Sequence, residues 1–267
     1  MLVDAWHRYR LSHFRSELHG SAPGFWDGWI SDCTGQDGAF ARDMAFDVSE
    51  LQARCVQVLT LSGADVAHDL EHVRRVVENA RKLAVLEGAR LEVVLPAAWL
   101  HDCVVVPKDS PARKMASRLA AQQAVQWLRI WGAPAGLLPE IAHAIEAHSY
   151  SAEIAPRTVE AMVVQDADRL DAIGAVGLAR CLMLGGAFGR TLYAMDDPFC
   201  ERRKANDGTA TVDHFYTKLL KIEGLMQTEA GRTEARRRTE FLRLFLDELR
   251  REIFDGSVPG LVGDGAP

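Results

Sequence analysis

Histidines and aspartates recur in this chain inside helical, apolar sequence, where polar side chains need a reason to be present. The set consists of His68, His72, His101, Asp102, His143, His148, Asp166, Asp168 and Asp171. A carboxylate is rarely buried without a cation, and no Lys or Arg stands beside Asp102 in the sequence. Imidazoles together with carboxylates are ligands that divalent Mn, Fe, Ni, Zn or Mg accept. The pattern therefore indicates a divalent metal site, although one such histidine taken alone is more typical of a hydrogen-bonded core residue.

Composition and charge exclude several classes of partner. The 267 residues include 31 basic and 37 acidic ones, for a net charge of −6, which favours neither nucleic acid nor an anionic membrane surface. The five cysteines are dispersed and form no CxxC motif, as is typical of reduced thiols in a cytoplasmic protein. Neither a signal peptide nor an apolar run of the roughly 20 residues needed for a membrane span is present. We therefore expect a cytoplasmic protein that binds neither nucleic acid nor membrane.

Helical periodicity dominates the elements that must position the candidate ligands. Apolar side chains return every three or four residues over 69–88, where Gly88 is a stop signal, and a second helix is predicted over 91–103 with Pro96 near its start. A third helix opens on Ser110 and Pro111 and ends at Gly132. Further helices are predicted over 139–150, 158–184, 211–226 and 233–254. Because no window alternates with the period of a strand, the sequence predicts an all-α fold.

The two ends of the chain differ from this helical core. Residues 1–50 are rich in Trp, Gly and Asp, and we expect them to form an accessory segment outside a core of residues 51–253. Residues 254–267 are small and Gly-rich, which predicts a flexible tail. The aromatic side chains of residues 22–32 suit a lid, a dimer contact or simple docking onto the core. The sequence thus allows a homo-oligomer.

Four of these residues, taken in order, resemble the H…HD…D pattern of the HD-domain metal-dependent phosphohydrolases. His72 lies in HDLEHVRRV, the doublet His101–Asp102 in LHDCVVVPKD, and Asp168 in QDADRLDAIGAVG. The stretches PKDSP, AHSYS, GGAFGR and DHFYTKLLK look like a bacterial subgroup of small stand-alone HD hydrolases, some of which cleave nucleoside triphosphates to monophosphate and pyrophosphate. The likeness covers about residues 51–253. It implies the HD-domain helical fold, with one Mn, Mg, Ni, Fe or Zn ion between core helices on these four residues.

Further polar residues near this pattern are candidates for catalysis or for substrate binding. Those for water activation or for support of the ligands are Asp69, Glu71 and Asp171, and those for substrate contact are Arg75, Lys108, His148 and Arg190. Each has an ordinary alternative as a solvated, capping or core residue. The expected function is a metal-dependent phosphohydrolase acting on a small phosphorylated molecule, preferably a nucleotide, as a triphosphate pyrophosphohydrolase or a phosphomonoesterase. The alternative is a catalytically silent, metal-stabilised sensor that binds a nucleotide.

Overall fold

The computed structural model describes residues 48–61, 66–104, 106 and 114–254, and the helices found there confirm the predicted all-α fold. The α-helices are α1 (Val48–Leu61), α2 (Val66–Glu87), α3 (Leu91–Leu100), α4 (Ala116–Ile130), α5 (Leu138–His148), α6 (Val159–Asp171), α7 (Gly174–Ala187), α8 (Asp213–Thr217) and α9 (Glu229–Phe254). Short 3-10 turns lie at Tyr150–Ala152, Leu219–Lys221 and Glu223–Leu225.

Several predictions from the sequence fall outside the described residues. They include nearly all of the accessory segment 1–50, the tail beyond Phe254, and the start of a helix at Ser110. Lys108 and the side chain of Asp69 also lie outside. The roles predicted for these two residues stay predictions.

Helix α3 is the apolar centre of the fold. All of its residues from 93 to 100 are buried, including Pro96, and it packs against α2, α5 and α6. A helix that is apolar all round has no face to present to water, so it must be enclosed by other helices. His101 and Asp102 follow the last turn of α3, and they therefore lie between those three helices.

The helix predicted over 158–184 is two helices, so the prediction of one continuous helix was wrong. Ile173 is extended (φ −126°, ψ 171°) and separates α6 from α7, which are bent by 57° relative to each other. Gly174 follows with φ +75°, a left-handed conformation that residues with a Cβ rarely adopt. The guanidinium of Arg238 donates to the carbonyl of Leu170 (2.7 Å) and so satisfies the end of α6. The apolar pattern runs on through this break, which is why periodicity does not reveal it.

No single described helix is long and apolar enough to span a membrane. The bent pair α6 and α7 meets that test only when the two are taken together, and only by length and composition.

The helix predicted over 211–226 was also wrong in its extent. Helix α8 stops at Thr217, and Lys218 (φ −136°, ψ −60°) leaves the helical conformation before two 3-10 turns complete the segment. Phe215, Leu219 and Ile222 are nevertheless buried. Their spacing of four and three residues is the one that suggested a helix, and the tighter turns bury the same side chains.

Two buried aspartates organise the irregular segment between α7 and α8. The carboxylate of Asp197 accepts the backbone N–H groups of residues 201–203 at 2.7–3.0 Å. Asp213 accepts both terminal nitrogens of Arg203 (2.5 and 2.7 Å) and the backbone N–H of Asn206 (2.6 Å). Charge-assisted hydrogen bonds of this kind give an irregular backbone a defined shape.

The first of the three aspartates in QDADRLD has a structural role. Asp166 is buried on α6 and accepts the backbone N–H of Gln227 (2.9 Å) together with the N–H and hydroxyl of Thr228 (both 2.8 Å). These groups immediately precede α9, and the hydroxyl of Thr228 in turn accepts the N–H of Gly231 (3.0 Å), so Asp166 anchors the residue that caps the N-terminus of α9. A Cβ added at Gly231 would lie 2.3 Å from an Asp166 oxygen, so the backbone of α9 approaches this carboxylate closely.

We predict that Asp166→Ala lowers the free energy of unfolding by about 2–4 kcal/mol, because it strands buried N–H groups at the start of α9. Urea unfolding of both proteins measures the difference. The matched control is Asp247→Ala, which removes an exposed carboxylate from α9 and should change stability little. Equal stability of the Asp166 variant and wild type would contradict the capping role.

Candidate metal centre

Three imidazoles from different helices meet at the end of α3. His72 lies on α2, His101 follows α3, and His148 is the last residue of α5. The ring centroids of His72 and His101 are 5.4 Å apart, and those of His101 and His148 are 4.9 Å apart, both in edge-on geometry. His101 and His148 are buried and His72 is nearly so, so this is an interior cluster.

Each of these imidazoles has its Nδ1 atom held by an acceptor. The acceptors are the carbonyl of Ala98 for His101 (2.8 Å), the carbonyl of Ile145 for His148 (2.6 Å) and the carboxylate of Asp171 for His72 (2.7 Å). Because a carbonyl or carboxylate needs a donor, Nδ1 carries a proton, and in the neutral ring the lone pair is on Nε2. This is the tautomer in which Nε2 can bind a metal.

The Nε2 atoms face two carboxylates. Asp168 Oδ1 lies 3.4 Å from Nε2 of His72 and 3.9 Å from Nε2 of His101. Asp102 Oδ2 lies 3.8 Å from Nε2 of His101, and its Oδ1 lies 3.4 Å from Nε2 of His148. One potential ligand atom from each of His72, His101 and Asp102 lies within 4.8 Å of the others.

These donors fit a divalent ion. Nε2 of His101 is completely buried and has no hydrogen-bond partner among the residues that the structure describes, which would be costly unless a ligand completes it. Imidazole nitrogens and carboxylate oxygens suit a metal of the hard or borderline kind. The side chains of Asp102 and Asp168 are 58% and 29% exposed, so the cluster opens on their side. The structure thus brings together the four residues of the H…HD…D pattern.

The electrostatics of the cluster keep its carboxylates ionised. Desolvation of Asp102 where it faces the cluster opposes its charge, but the neighbouring His101 and His148 outweigh this effect and hold the pKa of Asp102 well below its usual range. Burial dominates at His101 and lowers the pKa of this imidazole. Burial also opposes a charge on His72, yet hydrogen bonds to Asp168 and Asp171 raise the pKa of His72 to about 9. A metal that binds here must displace that proton.

Asp171 stands behind the cluster and orients His72. Its side chain is only 2% exposed and accepts hydrogen bonds from Nε of Arg75 (2.6 Å) and Nη1 of Arg180 (2.5 Å) as well as from His72. Although burial opposes its charge, His72 and Arg75 hold the pKa of Asp171 well below its usual range. A carboxylate so enclosed supports a ligand, and this arrangement favours the supporting role over water activation.

Arg180 is the member of this network that the sequence did not suggest. It reaches Asp171 and also approaches Nδ1 of His72 at 3.4 Å. On one uninterrupted helix, nine residues advance the chain by about 13 Å and about 180° around the axis, so Arg180 would face away from Asp171. The bend at Ile173 and Gly174 turns α7 so that Arg180 faces Asp171. A glycine inside an apolar helical pattern was the available signal.

The remaining candidates lie in different places. Glu71 is exposed and pairs with Arg74 (3.2 Å) on the outer face of α2. Arg75 binds Asp171, and His148 belongs to the cluster itself. Arg190 lies in a neighbouring pocket, which Asp171 also lines. His143 lies outside the cluster and accepts the backbone N–H of Arg157 at 3.0 Å.

Comparison with known proteins agrees with this geometry. The model of the HD domain family matches residues 69–173. The chain is 32% identical over 197 residues to YpgQ of Bacillus subtilis, an uncharacterised protein, with 72% of this chain and 88% of that one covered. The crystal structure of YpgQ in complex with ADP is similar with a TM-score of 0.59 and 31% identity, covering 80% of this chain and 95% of YpgQ.

A crystal structure of an HD-superfamily hydrolase from Bacillus thuringiensis is similar with a TM-score of 0.62 and 28% identity, covering 79% of this chain and 97% of that chain. His72, His101, Asp102 and Asp168 all fall within the residues that the family model matches. The resemblance seen in the sequence is confirmed, and this chain belongs to the HD-domain family.

Proposed function

We propose that this protein is a divalent-metal-dependent phosphohydrolase whose substrate is a small phosphorylated molecule, namely a nucleotide. The observation that carries the proposal is the buried Nε2 of His101, which lies unpartnered among the described residues and faces Asp102 and Asp168. The similar structure from Bacillus thuringiensis is named an HD-superfamily hydrolase, which supports hydrolysis. The ADP complex of YpgQ supports a nucleotide as the ligand.

His72, His101, Asp102 and Asp168 would hold the ion. Once bound, a divalent ion makes water a stronger acid and withdraws charge from a phosphoryl oxygen. The two imidazoles enter from the buried side, where their Nδ1 hydrogen bonds fix them. The two aspartates form the exposed side. Substrate would therefore approach past the carboxylates, and the imidazoles of His72 and His101 would remain out of its reach.

His148 belongs to the imidazole cluster but is not one of the four proposed metal ligands. Its Nδ1 is fixed by the carbonyl of Ile145, and its Nε2 lies 3.4 Å from Asp102 Oδ1. Burial opposes protonation, but the hydrogen bond to Asp102 outweighs it and raises the pKa of His148. We propose that Nε2 of His148 orients the attacking water or contacts the phosphate.

Within this class we favour cleavage of (deoxy)nucleoside triphosphates to monophosphate and pyrophosphate. Support comes from the likeness of PKDSP, AHSYS and GGAFGR to a subgroup with such members. Cleavage of a phosphomonoester would use the same ligands, and product analysis separates the two reactions.

We predict that the purified protein binds about one Mn²⁺ per chain and that Mn²⁺ raises its melting temperature. Asp102→Ala removes one ligand and should abolish that rise, and the metal-free variant should unfold no earlier than metal-free wild type, because one of two facing carboxylates is gone. Thermal unfolding with chelator and with Mn²⁺ measures both effects. Glu92→Ala removes an exposed carboxylate at the opposite end of α3 and should keep the full rise. A normal rise in the Asp102 variant would exclude it as a ligand.

A second prediction separates support of the metal from support of the fold. Asp171→Asn should weaken Mn²⁺ binding by about 10–100-fold, because His72 loses the carboxylate that orients it. The control is Asp213→Asn, which breaks another buried pair of aspartate and arginine, with Arg203. We expect both variants to lose stability and only the first to lose metal affinity, as measured by Mn²⁺ titration. Equal affinity in the two variants would show that Asp171 is merely structural.

The activity itself is tested with a panel of nucleoside mono-, di- and triphosphates and added Mn²⁺. We expect release of pyrophosphate from triphosphates, and its loss in Asp168→Ala. His148→Gln should lower kcat by about 100-fold while metal content stays unchanged, as expected for a group that assists proton transfer. Nucleotide binding without release of phosphate or pyrophosphate would instead identify a sensor.

A further inference from the structure

A pocket of about 260 Å³ adjoins the metal cluster on the side of α7. Its polar wall carries Arg180, Arg190, His214 and Lys218, and its apolar wall carries Leu184 and Phe188. The pocket meets the metal centre at Asp171, whose carboxylate lines it and binds His72. A ligand placed here would thus lie next to the network that supports the metal.

The carboxylates that line this pocket already have hydrogen-bond donors within the protein. Asp171 is held by Arg75, Arg180 and His72. Asp207 accepts Nδ1 of His214 (2.7 Å) and the hydroxyl of Thr217 (2.9 Å). Each aspartate is therefore held by partners within the protein.

Two cationic side chains of the pocket, Arg190 and Lys218, differ from its aspartates in this respect. Within the part of the chain that the structure describes, neither Arg190 nor Lys218 forms a side-chain hydrogen bond or an ion pair. The guanidinium of Arg190 lies over the ring of Phe188, 5.1 Å from its centroid, and this contact holds it at the pocket. Lys218 is exposed where the backbone leaves α8. Two cations without a hydrogen-bonded side-chain partner among the described residues, placed in a concave site, are suited to a polyanion.

The backbone on both sides of Arg190 is fixed. Its N–H donates to the carbonyl of Gly185 (3.0 Å), which closes the end of α7. The next residue, Thr191, pairs with residues 209–211 through backbone hydrogen bonds and an isolated parallel bridge to Ala210. The position of this cation is therefore set by the fold, and little ordering remains to be done when a ligand binds.

We propose that this pocket binds the phosphate groups of the substrate that lie away from the metal, and that it thereby selects nucleotides with a phosphate chain over monophosphates. The proposal rests on the proposed function and deepens it. Arg190 and Lys218 are the phosphate-binding cations, and Arg180 joins the pocket to Asp171 and His72. A monophosphate bound at the metal would leave these two cations without a partner.

Binding of inorganic tripolyphosphate to the metal-free full-length protein tests the pocket without any turnover. We expect calorimetry to detect tripolyphosphate binding to wild type, and Arg190→Gln/Lys218→Gln to weaken it by at least about tenfold. Lys82→Gln/Arg251→Gln has the same change of charge on α2 and α9, at exposed positions, and should bind as wild type does. Equal binding by the two double variants, or tighter binding of orthophosphate than of tripolyphosphate, would overturn the proposal.

Steady-state kinetics with Mn²⁺ add a second measurement. The pocket variant should lose about tenfold in kcat/KM for a nucleoside triphosphate, mainly through KM, while p-nitrophenyl phosphate is unaffected. Equal losses for the two substrates would argue against a separate phosphate subsite. If no nucleotide is turned over at all, the proposed function fails, and the tripolyphosphate measurement still decides what the pocket binds.

Discussion

A buried imidazole whose outward nitrogen has no partner needs an electron-pair acceptor, and His101 imposes this need on the structure. Its ring is fixed by the carbonyl of Ala98, and its Nε2 faces Asp102 and Asp168 among the described residues. No helix could enclose this group cheaply without something to bind it. The apolar α3 drives the burial, and α2, α5 and α6 supply the surrounding donors. The packing of the core and the geometry of the site are therefore coupled, since the most completely buried helix leads directly into two of the four candidate ligands.

The bend between α6 and α7 extends this centre outwards. It turns Arg180 back towards Asp171, so that one carboxylate is shared by an imidazole of the cluster and a guanidinium at the neighbouring pocket. A shared carboxylate links the two places electrostatically, because a change in the partners of Arg180 alters the charge that His72 experiences. Gly174 permits the bend and Arg238 holds it, through the carbonyl of Leu170.

Much of the site could be predicted from the sequence because four of its residues match, in order, the H…HD…D pattern of a known family. His72, His101, Asp102 and Asp168 lie together as their order suggested, whereas their binding of a metal stays a prediction. The helix break could not be predicted, because apolar side chains continue at helical intervals on both sides of Ile173. For the same reason the reach of Arg180 was missed. The tight turns after Thr217 keep apolar spacing without a helix, so periodicity overestimated that element.

The irregular segment between α7 and α8 has its own internal supports. Asp197 and Asp213 bind backbone and side-chain groups of that segment, and Asp166, Asp168 and Asp171 serve other parts of the molecule. The proposed phosphate-binding residues, Arg190 and Lys218, belong neither to these supports nor to the imidazole cluster. Substitutions at positions such as Arg190 or Lys218 can accumulate while those internal supports and the imidazole cluster are both retained. Paralogues with this scaffold can in this way differ in the ligand that the pocket binds and still share the same imidazole cluster.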